Sequence, residues 1–100
     1  MLKFSDNEIK NQILEKFPKW YLEGEDLCRE FIFDAYLDSI EFVNAIGIVS
    51  DVMDHHPVIL ISFGKVLVRV HTHSIGGIGP LDFEMAAKLD QFYLLHRNIS

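Results

Sequence analysis

The sequence predicts an α+β protein whose elements run helix, two strands, helix, two strands, helix. Three observations carry this expectation. Ser5 with Glu8 three residues on is a capping-box signature for a helix start. Two pairs of short segments alternate apolar and polar residues, as half-buried strands do. Between those pairs lies a long apolar stretch with helical spacing, bounded by Asp34 and Pro57.

Each element follows from its residues. In the first helix Phe4 is placed to staple onto Ile9, Ile13, Leu14 and Phe17 extend the apolar stripe from Ile9, and Pro18 stops the helix. Trp20 to Leu22 reads as a short strand and Glu23-Gly24-Glu25-Asp26 as a turn. Leu27 to Phe33 follows as a strand, with Leu27, Arg29, Phe31 and Phe33 on one side. Asp34 is the expected N-cap of a long helix over Ala35 to His55. This helix has two apolar stripes, Tyr36-Ile40-Val43-Gly47 and Phe42-Ile46-Val49-Met53. Packing once against a sheet needs only one of them. The second stripe points either to a contact between subunits or to deep burial within the domain.

Pro57 ends that helix and biases His56 towards extended backbone. Val58 to Phe63 and Lys65 to His73 read as strands joined near Gly64. Val66, Val68, Val70 and Thr72 share one face of the second, opposite Leu67, Arg69, His71 and His73. After the glycine-rich loop Ser74 to Gly79, Pro80 suits the first position of a last helix capped by Gly79, with Asp82 in its first turn. Ala86, Leu89 and Tyr93 continue its inner face.

With 100 residues, 49% hydrophobic and 24% charged, residues 1–100 form a single expected globular domain. A net charge of −6 with nine scattered basic residues argues against direct nucleic-acid binding. Cys28 is the only cysteine, which rules out an intrachain disulfide and two-cysteine zinc patterns, and its apolar surroundings make it an inert core residue. No apolar run approaches a membrane span, and Met1 to Lys10 lacks the pattern of a leader, so a cytoplasmic protein is expected.

Four of the five histidines fall in two groups, Asp54-His55-His56-Pro57 and His71-Thr72-His73. Histidine exchanges protons near neutral pH, because its ordinary pKa is about 6.5. Two histidines from different elements, meeting at a loop-rimmed edge, can supply an acid and a base together, with Asp51, Asp54 and Asp82 as acidic neighbours. Other readings exist for the same residues. His55 and His56 could cap helix carbonyls, and His71 with His73 could bind a divalent metal together with His55 or His56. Asp82 could be a first-turn carboxylate only, and His96 a solvated helix residue.

Asp54-His55-His56-Pro57, a strand hairpin, then Thr72-His73, Gly77 and Asp82-x-x-x-Ala86 together resemble the pterin-4a-carbinolamine dehydratase family. Trp20, Leu27, Arg29, Phe31, Phe33, Tyr36 and Phe42-Val43 extend the resemblance from Trp20 to about Asp90. The resemblance implies a two-layer sandwich: a four-stranded antiparallel sheet with three helices on one face. It implies an enzyme that removes water from a 4a-hydroxytetrahydropterin to give the quinonoid dihydropterin, in tetrahydrobiopterin recycling. No metal and no organic cofactor is implied. His55 and His73 match the family's acid–base histidines, His56 the histidine that holds the pterin and assists, and Asp82 a pocket acid that orients them. Thr72 and Asp54 flank these positions.

Departures from the family pattern are Asp51 where Glu is common, His71 where a smaller or neutral residue is usual, and Gly76-Gly77-Ile78-Gly79-Pro80 where Gly-Leu-Thr is typical. Members form dimers by joining sheets, and some form tetramers through the central helix, so a homodimer or homotetramer is implied. Some also act as dimerisation cofactors of a homeodomain transcription factor, which would bring a protein partner to the central helix and the chain to the nucleus. Relatives that serve as assembly factors have lost catalytic histidines, whereas His55, His56 and His73 are all present here.

Overall fold

The computed structural model describes residues 3–99, with side chains described as far as residue 96. Met1 and Leu2, the start of the segment read for a leader, lie outside the described residues. The elements are α1 (Asp6–Lys16), β1 (Tyr21–Glu23), β2 (Asp26–Ile32), α2 (Tyr36–Met53), β3 (Val58–Ser62), β4 (Lys65–Val70), a 3-10 turn at His73–Ile75, and α3 (Pro80–Ile99). The expected order of helices and strands is observed.

α1 starts on both halves of the capping box: the Glu8 N–H donates to Ser5 Oγ and the Ser5 N–H donates to Glu8 Oε1. Ile9 is buried and Ile13 packs against the core, but Leu14 is 78% exposed and leaves the expected stripe. At 100° per residue, a helix with Ile9 and Ile13 inward turns Leu14 away. Phe4 and Phe17 both stack on Phe83 of α3, with ring centroids 5.8 and 5.2 Å apart, so the two ends of α1 are pinned to the last helix.

The sheet is antiparallel throughout, in the order β1-β2-β4-β3. The central pair sets Leu27 against Val70, Arg29 against Val68 and Phe31 against Val66. Leu27, Phe31, Val66, Val68 and Val70 from this face are buried in one cluster with Ile9 of α1, Phe42 and Ile46 of α2, and Ala86, Leu89 and Tyr93 of α3. The helices therefore cover one face, in two layers, as the resemblance implied.

Arg29 points into this face because its charge is matched. Nη1 donates to Asp90 Oδ1 at 2.6 Å, and the guanidinium lies 4.3 Å above the Phe31 ring. Trp20 Nε1 donates to the same Asp90 oxygen at 2.9 Å. Cys28 belongs to the opposite face, between Tyr21 and Arg69 in register, yet it is fully buried.

α2 departs from expectation at both ends. Its N-cap position is Ala35 in extended backbone, with no side-chain cap, so Asp34 stands one residue too early to serve. The helix ends at Met53, before His55. Phe42, Ile46 and Val49 of one stripe are buried, with Met53 packed beside them. In the other stripe Ile40 and Val43 are half-buried, and Tyr36 and Gly47 are exposed. Deep burial of both stripes does not occur. Leu37, Ile48 and Val52 add to the apolar surface outside the core. Among the described residues no helix is long and apolar enough to cross a membrane.

Candidate active site

The end of α2 positions the first two histidines. Asp54 closes the helix in the left-handed conformation, at φ 51° and ψ 46°, and the His55 N–H donates back to the Ser50 carbonyl at 3.0 Å. His55 thus lies just beyond the helix, with its backbone tied to the last turn. Pro57 then restricts His56 to extended backbone, so the two adjacent side chains leave the chain in different directions.

His55 is 9% exposed and its Nε2 lies 2.7 Å from Asp82 Oδ1. Asp82, in the first turn of α3, is completely buried. Its Oδ2 accepts from Thr72 Oγ1 at 2.7 Å and from the Gly79 N–H at 2.8 Å. A carboxylate is acceptor-only, so His55 donates through Nε2–H, and in the neutral form of the ring the lone pair lies at Nδ1. Burial of Asp82 is tolerable because both oxygens are engaged. Gly79 caps α3 as expected, and Asp82 supplies the reciprocal bond.

β4 ends at Val70, and His73 does not close it as the sequence suggested. Thr72 instead pairs with Gly77 in an isolated bridge, its N–H donating to the Gly77 carbonyl at 2.8 Å. The segment between them closes as the 3-10 turn that begins at His73, with Gly76 left-handed at φ 66°. A glycine meets that requirement without a steric penalty.

His56 is exposed, and its Nε2 lies 3.0 Å from Oδ1 of the exposed Asp51. The shorter carboxylate that departs from the family pattern therefore still reaches a site histidine. Beside this pair opens a cavity of about 460 Å³ lined by Val43, Gly47, Ile48, Asp51, Pro57 and Ile59, with His56 at its rim. Asp54 contributes backbone geometry, and its side chain makes no hydrogen bond or ion pair among the described residues.

His73 is exposed and is bonded to one neighbour. Its Nδ1 lies 3.1 Å from His71 Nε2, with the rings 4.2 Å apart and inclined at 69°. His71 Nδ1 lies 2.7 Å from Asp26 Oδ1, while Asp26 Oδ2 accepts from Arg69 Nε at 3.1 Å. Arg69 Nη1 also donates to Glu23 at 2.7 Å. The carboxylates of Glu23 and Asp26 push the guanidinium further up from its ordinary value, so it stays charged.

Asp82 ties the turn after α2 to the loop after β4 through His55 and Thr72, and His56 and His73 are the next residues along those two segments. Among the described residues His55 Nδ1, His56 Nδ1 and His73 Nε2 carry no hydrogen bond. Among the described residues no set of three or more His, Cys, Asp or Glu is arranged to hold a metal ion, these histidines included. His96 is half-buried and spends Nδ1 on the Phe92 carbonyl of its own helix. Sequence reasoning missed Asp26, because only the Leu27–Val70 register, extended by one pair, sets it opposite His71.

The fold and this site define a class, a small α+β protein with paired histidines oriented by buried and half-buried carboxylates. The chain belongs to the pterin 4 alpha carbinolamine dehydratase family, whose model matches residues 2–92. A Sulfurisphaera tokodaii protein is 36% identical over 91 residues, covering 91% of this chain and 97% of the relative. A Picosynechococcus protein is 38% identical over 89 residues, covering 89% and 96%. Both bear the name pterin-4-alpha-carbinolamine dehydratase provisionally.

Among solved structures, a transcriptional coactivator/pterin dehydratase from Brucella melitensis superimposes with a TM-score of 0.82 at 27% identity, over 89% of this chain and 96% of that one. A pterin dehydratase-like protein identified as a RuBisCO assembly factor in the alpha-carboxysome superimposes with a TM-score of 0.66 at 22% identity, over 75% and 89%, and shares the fold.

Proposed function

We propose that this chain dehydrates a 4a-hydroxytetrahydropterin to the quinonoid dihydropterin, as a step of tetrahydropterin recycling in the cytoplasm. The observation that carries the reading is that His55, His56 and His73 each keep one ring nitrogen without a partner among the described residues, on two segments joined through Asp82. Elimination needs a base and an acid. The base takes the proton from the pterin ring nitrogen, and its N–H electron pair becomes the new C=N bond. The C–O bond at position 4a breaks, and the departing oxygen takes a proton from the acid to leave as water. His55 and His73 are the proposed proton-transfer pair, with His56 holding the pterin.

Asp82 supports this arrangement by fixing the His55 ring and, through Thr72, the backbone that carries His73. Asp51 restrains His56 at the rim of a cavity of ligand size. The test is a stopped-flow assay of 4a-hydroxytetrahydropterin dehydration by the wild-type protein and by His55→Ala and His73→Ala. Turnover by the wild type and its strong loss in folded variants are expected. Wild-type rates in both variants overturn the assignment.

A contact through the outward apolar stripe of α2 is a second reading, favoured by exposed Tyr36, Leu37, Ile48 and Val52. Its occupant is proposed to be another copy of the chain, in a homodimer or homotetramer. A monomer across micromolar concentrations in sedimentation refutes it.

A further inference from the structure

The chain Asp26–His71–His73 lies outside the Asp82 hub and ends on a proposed reacting histidine. We propose that Asp26 and His71 are positioning residues that keep the neutral His73 ring with its lone pair at Nε2 and take over the proton that Nε2 accepts. The proton-transfer half of this inference rests on the dehydratase reading. The tautomer half stands on geometry alone.

Asp26 has one oxygen on Arg69 and the other on His71 Nδ1. Because a carboxylate cannot donate, His71 carries its proton at Nδ1, which leaves Nε2 of a neutral His71 as an acceptor. Among the described residues the one partner of that nitrogen is His73 Nδ1, at 3.1 Å. His73 therefore donates through Nδ1–H and presents its lone pair at Nε2, the nitrogen with no partner among the described residues.

A proton arriving at Nε2 makes His73 cationic. Its Nδ1 proton can then pass to His71 Nε2, leaving an imidazolium against Asp26 and a neutral His73 with the proton at Nε2. When Nε2–H is then released to solvent water, His71 returns its proton to Nδ1, and the departing 4a-oxygen is served by His55, the other histidine of the pair. One proton enters and one leaves, and no further reactant is consumed. The groups facing His71 are Asp26 of β2, with Arg69 of β4 and Glu23 of β1 behind it, and His73 of the 3-10 turn.

Why this pair forms here is also clear. His71 and His73 share a side of the chain after β4, and β2 supplies Asp26 directly opposite His71 in register.

Long-range proton–nitrogen NMR of the imidazole rings reads the tautomer directly, in the wild type and in His71→Leu, His71→Gln and Asp26→Asn. The wild type is expected to show neutral His73 protonated at Nδ1. His71→Leu releases it to a mixture, and Asp26→Asn reverses it by offering a donor to His71. His71→Gln, whose amide oxygen can occupy the Nε2 position, restores it. In the dehydration assay kcat of His71→Leu and Asp26→Asn falls about tenfold with KM within about twofold, the size of effect seen when the partner of a working histidine is removed.

His73 protonated at Nε2 in the wild type, or a tautomer and kcat unchanged in both variants, overturns the proposal. A wild-type chain with no turnover sinks the dehydratase reading, and with it the proton-transfer half, while the NMR result still decides the positioning half.

Discussion

Thr72 Oγ1 donates to Asp82 Oδ2 at 2.7 Å, on the carboxylate whose other oxygen holds Nε2 of His55. Two loops that follow different elements are thereby locked to the first turn of α3. With the Gly79 N–H as third donor, the carboxylate is satisfied without water, and every partner loses its match if it is removed.

Asp82→Ala should therefore destabilise the fold by about 3 kcal/mol, because it strands several buried donors at once. Asp82→Asn keeps the shape but offers an N–H to His55, which reverses the ring's tautomer. It should fold with a smaller penalty and lose turnover by at least about tenfold. Urea unfolding and the dehydration assay check the two halves, and wild-type values in both variants contradict the hub.

Among the described residues Asp90 is the one carboxylate bonded to Arg29, and Trp20 shares its oxygen. Asp90→Ala leaves the half-buried guanidinium without its countercharge and should cost about 2 kcal/mol in urea unfolding. A loss below about 0.5 kcal/mol would mean the charge is met by solvent instead.

Burial pushes the Cys28 thiol above its ordinary value of 9.0, and burial followed by the charge of Glu30 does the same for the Tyr21 phenol, ordinarily 10.0. Both groups hold their protons more tightly when folded. Their contribution is complete below the unfolded values and is lost as pH rises through the window up to the folded ones. Melting temperature should decline above about pH 9, and less steeply in Cys28→Ala. An identical slope in the variant counts against the thiol's share.

Asp54 holds φ at 51°, a conformation that Asp tolerates and β-branched residues do not. Asp54→Val should cost about 1–2 kcal/mol, whereas Asp54→Gly should cost nothing and gain up to about 0.5 kcal/mol. Thermal unfolding of the two variants orders them, and equal losses would place the requirement in the side chain.

The sequence made local structure legible where the signal itself was local. Ser5 and Glu8, Pro57, Gly79 with Pro80, and the alternation in β2 and β4 all work within a few residues of themselves. Leu14 and Asp34 failed for the same reason: which side of α1 is buried depends on Phe83, and where α2 begins depends on how β2 delivers the chain. His73 was drawn into a strand because its alternation continues past Val70, while the Thr72–Gly77 bridge that ends the strand lies across a loop. The role of Asp82 was implied by family resemblance, and its bonds to His55 and Thr72 needed coordinates. Asp26 was invisible because its meaning comes from register with a strand far along the chain.

That central pairing has a kinetic consequence. β2 and β4 are separated by the whole of α2 and β3, so pairing them requires closing a long loop, a costly, high-contact-order step of folding. Asp26 can meet His71 only across that junction, and His55 meets Asp82 only after α3 has docked. The proposed proton-handling groups thus depend on contacts between distant parts of the chain, and the ring tautomers of His55 and His73 become local witnesses that those contacts have formed.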